Sequence, residues 1–322
     1  MEDIMVSICC LTYNHEKYVR EALDSFLNQK TNFKYEILIH DDASTDRTVE
    51  IIREYEEKYP NLIKPIYQKE NQYSKGINIS KTYQFPRACG KYIAMCEGDD
   101  YWKDDYKLQK QFDALEKNAD CGICTCIVEH IAENGESKHI YQPDKKVLKS
   151  ILTEIIEPKE IFTKVFEQTI IPFQTSSFFV RKCMMDNYLK ENPNFAQTNF
   201  FGDVPLLLYF VAHGNVCFLP EILSAYREFS IGSWTNKHFN VREKKIKHHI
   251  EIINMFKKYN SYTENIFENS IEKIISKYEF LLYELQGKYG LLLQRKYKTF
   301  FKERCFKEKS YIILHAFLGV LK

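Results

Sequence analysis

Three times in its first 115 residues the chain runs through a short apolar stretch, breaks into a polar turn, and resumes with apolar residues at helical spacing. The first stretch, Val6–Leu11 (VSICCL), ends in Thr12, Tyr13 and Asn14 and leads to Val19, Ala22, Leu23, Phe26 and Leu27. The second, Tyr35–Ile39, ends in Asp41-Asp42-Ala43-Ser44-Thr45-Asp46, ahead of Thr48, Ile51, Ile52, Tyr55 and Tyr59. The third, Tyr92–Cys96, ends in Glu97-Gly98-Asp99-Asp100, ahead of Leu108, Phe112 and Leu115. Apolar runs without alternation suit strands covered on both faces, and the stripes suit helices lying on such a sheet. Their alternation predicts right-handed βαβ units. The fold class is therefore α/β, with a Rossmann-like, mostly parallel central sheet flanked by helices. A further strand is expected at Ile63–Tyr67 and a weaker helix at Ile77–Ala88, with Asn14 or a near neighbour capping the first helix.

Ligands of such sheets bind beyond the carboxyl ends of the strands. That rule gathers Tyr13, Asp41, Asp42, Glu97, Asp99 and Asp100 along one rim. Three acidic groups within four residues repel one another. A bound hard cation with oxygen ligands, Mn²⁺ or Mg²⁺, would relieve them, whereas a solvated turn capping the next helix would leave them to water. Neither G-x-G-x-x-G nor G-x-x-x-x-G-K-[ST] occurs among the 11 glycines, so phosphates would fall to a metal and to cationic side chains. With 45 Lys+Arg against 44 Asp+Glu, nothing global attracts nucleic acid.

The N-terminus has no signal-peptide core and no apolar run is long enough to span a bilayer, which predicts a cytoplasmic chain. Cys121, Cys124 and Cys126 give C-x-x-C-x-C with His130 nearby, a spacing that suggests zinc. Read as a strand, the same segment carries core thiols, Cys121 facing opposite to the other two.

The stretches VSICCLTYNHEKYVREALDSFLNQ, YEILIHDDASTDRT and GKYIAMCEGDDYWKDDYKL together resemble the inverting family 2 glycosyltransferases, which have the GT-A fold. The resemblance continues through QTSSFFVR, FGDVPLLLYFVAHG and LSAYREFSIGSW and covers roughly residues 5–235. It implies that Tyr13 packs on a nucleotide base and Asp42 hydrogen-bonds it, with Thr12 and Asp41 supporting the pocket. Glu97-Gly98-Asp99 stands at the family's Asp-x-Asp motif, with Asp99 the metal ligand, Asp100 a second candidate, and Glu97 facing ribose or metal. The glutamate is a departure from that motif. Asp203 stands where relatives place the catalytic base, and capping of the following helix is the plain alternative. Tyr226-Arg227 matches a pair near the diphosphate, without the histidine that often follows; Lys75 and Arg87 are the other cationic candidates. Trp234 fits an acceptor platform or a core anchor.

The implied reaction moves a sugar from a nucleoside diphosphate donor, UDP-linked by expectation, to a glycan or lipid-linked acceptor in surface polysaccharide synthesis. The rivals are a sugar nucleotidyltransferase and a silent nucleotide-sugar-binding scaffold. Two domains are expected, a catalytic one over residues 1–235 and a helical extension over 236–322, where Ile271, Ile274, Ile275, Tyr278 and Leu282 form a stripe. Residues 295–322 carry eight Lys or Arg against two Glu. That basic end is expected to pack on protein or to lie at the inner face of the cell membrane. Oligomeric state is left open.

Overall fold

A computed structural model describes residues 3–151, 153–198, 202–228 and 241–320. The first strand, β1 (Ile4–Thr12), is covered on both sides: Val6, Ile8 and Cys10 are fully buried on one face, and Ser7 and Cys9 are buried on the other. After it come α1 (Val19–Leu27), β2 (Lys34–Asp41), α2 (Thr48–Lys58), β3 (Ile63–Tyr67), β4 (Tyr92–Met95), β5 (Tyr101–Trp102) and α3 (Lys107–Lys117). Then follow β6 (Cys121–Ile131), β7 (Ser137–Gln142), β8 (Ile155–Ile156), β9 (Phe179–Arg181), α4 (Lys182–Glu191), α5 (Asp203–Ala212) and β10 (Asn215–Arg227). Among the described residues these strands make one sheet ordered β3-β2-β1-β4-β9-β6-β10-β5, with β7 beside β6 and β8 beside β10.

The strands β3, β2, β1 and β4 are mutually parallel, as the βαβ reading requires. Antiparallel β9 then separates β4 from β6, so β6 and β10 point the same way as β1 and their carboxyl ends share its rim. The stripe of α1 faces inward through Val19, Ala22, Leu23 and Phe26. Each such side chain withdrawn from water contributes about 1.5–3 kcal/mol before entropy is counted.

Glu36, a carboxylate buried within β2, is fully satisfied. It accepts from Ser7 Oγ (2.7 Å), Lys64 Nζ (2.6 Å) and Cys89 N (2.8 Å). Burial alone would raise its proton affinity, but these donors outweigh it and hold the carboxyl below its usual range. Cys89 is followed by Gly90, where a Cβ would lie 2.6 Å from Ser7 N and 2.7 Å from Val6 C. Backbone cannot yield there, so Gly90→Ala is expected to cost about 1–3 kcal/mol, read as a lower urea midpoint at unchanged slope.

Several local expectations change on folding. Asn14 does not cap α1, which begins at Val19; it adopts a left-handed conformation (φ 57°) and braces the next loop, its Oδ1 accepting from Thr45 N at 2.8 Å. The region 77–88 is no α-helix but a π turn (Ser80–Gln84) running into a 3-10 turn (Phe85–Arg87), because Gln84 turns inward to donate to Cys10 O and Leu38 O. Cys121, Cys124 and Cys126 are buried free thiols as expected of a core strand. All three join one cluster, however, because the β6–β10 register is irregular between Asn215 and Val216, opposite Gly122, and cancels the expected alternation.

The described residues form two compact bodies, 3–193 with 202–228, and 194–198 with 241–320. The expected boundary near 235 lies outside the described residues, as does Trp234. The segment 194–198, expected within the catalytic domain, belongs to the helical body, where Phe195 packs its ring on Tyr259 and Tyr262. That body comprises α6 (Arg242–Tyr262), α7 (Glu268–Gln286), α8 (Tyr289–Leu292), α9 (Lys298–Glu303) and α10 (Phe306–Val320). The stripe of α7 is buried at Ile271, Ile274 and Leu282, and Phe280 meets Leu292, Tyr297 and Ile312 in a second small core.

Candidate active site

The rim is built by two loops that brace each other. After β1, the backbone N–H groups of Asn14, His15 and Glu16 donate to Ser44 Oγ (2.9 Å), Thr48 Oγ1 (2.8 Å) and Asp46 Oδ2 (3.0 Å). In return Glu16 accepts from Arg47 N at 3.0 Å. Side-chain oxygens of the Asp41–Thr48 turn thus satisfy the open amides of the other loop, which accounts for a turn so rich in Asp, Ser and Thr.

Within this lattice Asp41 is structural. It is fully buried, and it accepts from Thr12 Oγ1 (3.0 Å), Ser44 N (2.9 Å) and Ser44 Oγ (2.5 Å). Thr12 is therefore held from both sides, since β1 and β2 pair Thr12 with Asp41. Asp42 reaches further outward and accepts from Gln72 N (2.7 Å) and Tyr73 N (3.0 Å), ordering the loop after β3. Tyr13 lies half-buried beside them.

The acidic turn docks against the end of β1. Gly98 N donates to Leu11 O at 2.8 Å, and a Cβ on Gly98 would lie 2.5 Å from the Thr12 methyl and 3.1 Å from His15 Nδ1. Only glycine permits so close an approach. Glu97 is half-buried, and burial, then the neighbouring Asp99, push its carboxyl up to about 8. Asp100 is 3% exposed; burial and its two acidic neighbours raise its proton affinity well above the usual carboxylate range. One of its oxygens accepts from Arg227 N at 2.9 Å, tying the turn to the end of β10. Asp99, like Glu97, is partly exposed, with His15 Nε2 at 3.7 Å from Oδ2.

Asp203, over a hundred positions later in the chain, reaches the same place. It opens α5, accepts from Val204 N at 2.8 Å, and lies close enough to Glu97 to raise that group's proton affinity. Its own carboxyl is raised by burial, against the opposing pull of the helix-start amides. The capping alternative is only partly met, since the bond runs to the adjacent amide and not to the second or third residue beyond.

The cationic candidates for diphosphate contact all engage protein groups. Arg227, 3% exposed, donates from Nε to Asp99 O (3.1 Å), from one terminal nitrogen to Ala132 O (3.3 Å) and Glu133 O (2.8 Å), and from the other to Glu21 Oε2 (2.5 Å). Its guanidinium also lies 4.8 Å from the Tyr18 ring centroid. A fork so committed is a clamp on the acidic turn. Arg87 is likewise spent on Ile39 O and Lys64 O, both at 2.9 Å, and Lys75 pairs with Glu70. In place of a histidine Glu228 follows Arg227; it lies 2.6 Å from His130 Nδ1 of the neighbouring strand β6 and is also engaged by Lys138.

Three residues at the site went unmarked in the sequence: Glu21, His15 and Lys107. His15 Nδ1 is buried without a hydrogen-bond partner among the described residues. Lys107 is fully buried, donates to Gln111 Oε1 at 2.6 Å, and sits 4.3 Å from the Trp102 ring centroid behind the acidic turn. Only the i, i+4 spacing of Lys107 and Gln111 hinted at this pair.

As a metal site the donor set is partial but suitable. The turn concentrates carboxylates that burial and mutual repulsion drive toward protonation, the condition a hard divalent cation relieves. Among the described residues no three His, Cys, Asp or Glu side chains enclose a cation by themselves. The zinc reading of the cysteines finds no such cluster either.

The chain is similar to several known proteins. A protein of Mycobacterium tuberculosis, itself uncharacterised, is 32% identical over 238 residues, 74% of this chain and 63% of its own length, so the chain spans less than two thirds of that relative. The Bacillus subtilis glycosyltransferase TuaG, named for teichuronic acid biosynthesis, is 32% identical over 142 residues, 44% of this chain and 54% of its own. Among solved structures, S. aureus TarS 1-349 with UDP-GlcNAc superposes with a TM-score of 0.59 at 17% identity, covering 92% of this chain and 78% of that one. A mannosyltransferase from Pyrobaculum calidifontis with GDP-Man and Mn²⁺ gives 0.52 at 13% identity, over 99% and 89%. At such identities the likeness shows the fold alone, and it is the GT-A fold that the sequence resemblance implied. Residues 7–189, more than half of the chain, match the family described as glycosyl transferase family 2. That span runs from β1 through the acidic turn to α4, and by it the chain belongs to glycosyl transferase family 2.

Proposed function

We propose that the chain transfers a sugar, with inversion, from a nucleoside diphosphate donor to a hydroxyl of a glycan or lipid-linked oligosaccharide in surface polysaccharide synthesis. The observation that carries this reading is that Asp203 and Asp99 each lie close enough to Glu97 to raise its proton affinity. Inversion by direct displacement needs a carboxylate on the acceptor side. Asp203 takes the proton of the acceptor hydroxyl as that oxygen bonds to the anomeric carbon. The bond from that carbon to the diphosphate oxygen breaks, and its electron pair leaves with the diphosphate. Raised proton affinity suits the task, because a stronger base draws the proton more effectively.

Tyr13 packs on the base and Asp42 orders the loop that flanks it. The cation, Mn²⁺ or Mg²⁺, would be held by Asp99 with Asp100 behind it, the diphosphate completing its oxygen shell. Bound there it would supply positive charge to the departing diphosphate. The donor is read as UDP-linked because TarS, sharing the fold, was solved with UDP-GlcNAc. Polysaccharide synthesis is favoured by the similarity to TuaG.

Thermal unfolding with UDP, dTDP, GDP and CMP, each with and without Mn²⁺, tests donor and metal together. UDP with Mn²⁺ is expected to stabilise the fold most, by about 2.7 kcal/mol at roughly a hundred times its dissociation constant. No stabilisation by any of the four would sink the reading. Equal stabilisation without metal would remove the cation from it.

A further inference from the structure

In the helical body, described residues hold α10 on one side. Ile312 and Ala316 are buried, and Tyr289 meets Tyr311 edge-on and His315 at a tilt. The opposite side carries Phe306 (86% exposed), Leu314 (57%) and Phe317 (68%), flanked by Ile313 and Leu318. At helical spacing these five residues form one continuous face. From Ser310 to Val320 the sequence contains no Lys, Arg, Asp or Glu. An outward apolar face of this extent marks an interaction surface.

We infer that this face is the seat of an anionic lipid surface, on which α10 lies in the plane of the interface. Charge decides the occupant. Lys298, Lys302 and Lys307 are exposed just ahead of the apolar face or within its first turn, and residues 295–322 hold eight basic residues against two acidic ones. A second copy would bring the same positive charge against itself, whereas anionic headgroups complement it. The helix has 15 residues, about 22 Å at 1.5 Å each, against a hydrocarbon core of about 30 Å. No helix among the described residues is long and apolar enough to cross a membrane. α10 therefore lies on the bilayer, its aromatic and aliphatic side chains inserted and its lysines at headgroup level.

Flotation of the full chain with vesicles tests this. The chain is expected to float with an equimolar mixture of phosphatidylcholine and phosphatidylglycerol, and not with phosphatidylcholine alone. Leu314→Glu with Phe317→Glu is expected to weaken binding at least about tenfold. Lys302→Glu and Lys307→Glu should each weaken it about fivefold, and these variants leave the apolar face intact should the first pair misfold. A wild-type chain that stays unbound, or variants that float as well as it does, would overturn the assignment. So would a dimer, measured by light scattering, that Leu314→Glu with Phe317→Glu converts to monomer, since the face would then belong to a second copy. Flotation requires no sugar donor, so failure here leaves the proposed reaction untouched.

Discussion

Asp203→Asn is expected to lower sugar transfer by about 10² to 10⁴-fold, the range set by loss of a general base, while metal-dependent binding of the donor nucleotide persists. Asparagine keeps the size of the side chain and its amide oxygen can still accept from Val204 N, so the start of α5 need not move. What it cannot do is take a proton from the acceptor. The pH dependence follows from the same burial. As the proposed base Asp203 would work ionised, and its carboxyl is raised above the ordinary value of about 3.9, so the acid limb of the wild-type rate profile should fall at a correspondingly higher pH. Stability should respond with the opposite sign. A carboxyl whose proton is held more tightly in the folded than in the unfolded state destabilises the fold once pH exceeds both values. Near neutral pH the ligand-free variant should therefore unfold at the same temperature as wild type or above it. Transfer retained by a well-folded variant would remove Asp203 from the base role.

How far such a site is legible in a sequence depends on which forces place each residue. The strand ends announced themselves, because β1, β2 and β4 are buried on both faces and are mostly apolar until they reach the rim. Tyr13, Asp42, Glu97 and Asp99 follow from that abrupt change and stand where it puts them. Direction at close range was not legible. Asn14 looked like a helix cap and is a brace, because its partner Thr45 lies 31 positions on, in a loop that only the β1–β2 pairing brings near. Cys121 was expected on the far side of its strand, and one irregularity in register beside Gly122 brought it back. The two-residue strands β5 and β8 carry no periodicity, and tertiary pairing alone makes them strands. Arg227 is the sharpest case. Its motif suggested an anion partner, yet its contacts come from residues 21, 99, 132 and 133, which no local pattern connects.

Replacement of Arg227 by methionine should therefore damage the fold first and the chemistry through it. Methionine keeps much of the methylene stem, but the guanidinium contact with the Tyr18 ring goes, and the carbonyls of Asp99, Ala132 and Glu133 lose their donors. Each buried acceptor left unpaired costs about 1–3 kcal/mol. The pair with Glu21 adds little, because Glu21 is half-exposed and water can replace the lost partner. A loss of about 3–5 kcal/mol is expected, measured by urea unfolding, together with loss of the extra stabilisation that Mn²⁺ gives to bound nucleotide. The second effect arises because the backbone of Asp99 is one of the groups released. Arg227→Lys separates this role from direct contact with the diphosphate. A lysine supplies one point charge where the guanidinium supplied a planar fork, so as a clamp it should fall between wild type and methionine in stability. As a phosphate contact it would keep the stability and lose only nucleotide affinity. Wild-type unfolding of the methionine variant would show that the acidic turn is held without the clamp, and that Arg227 answers to the ligand after all.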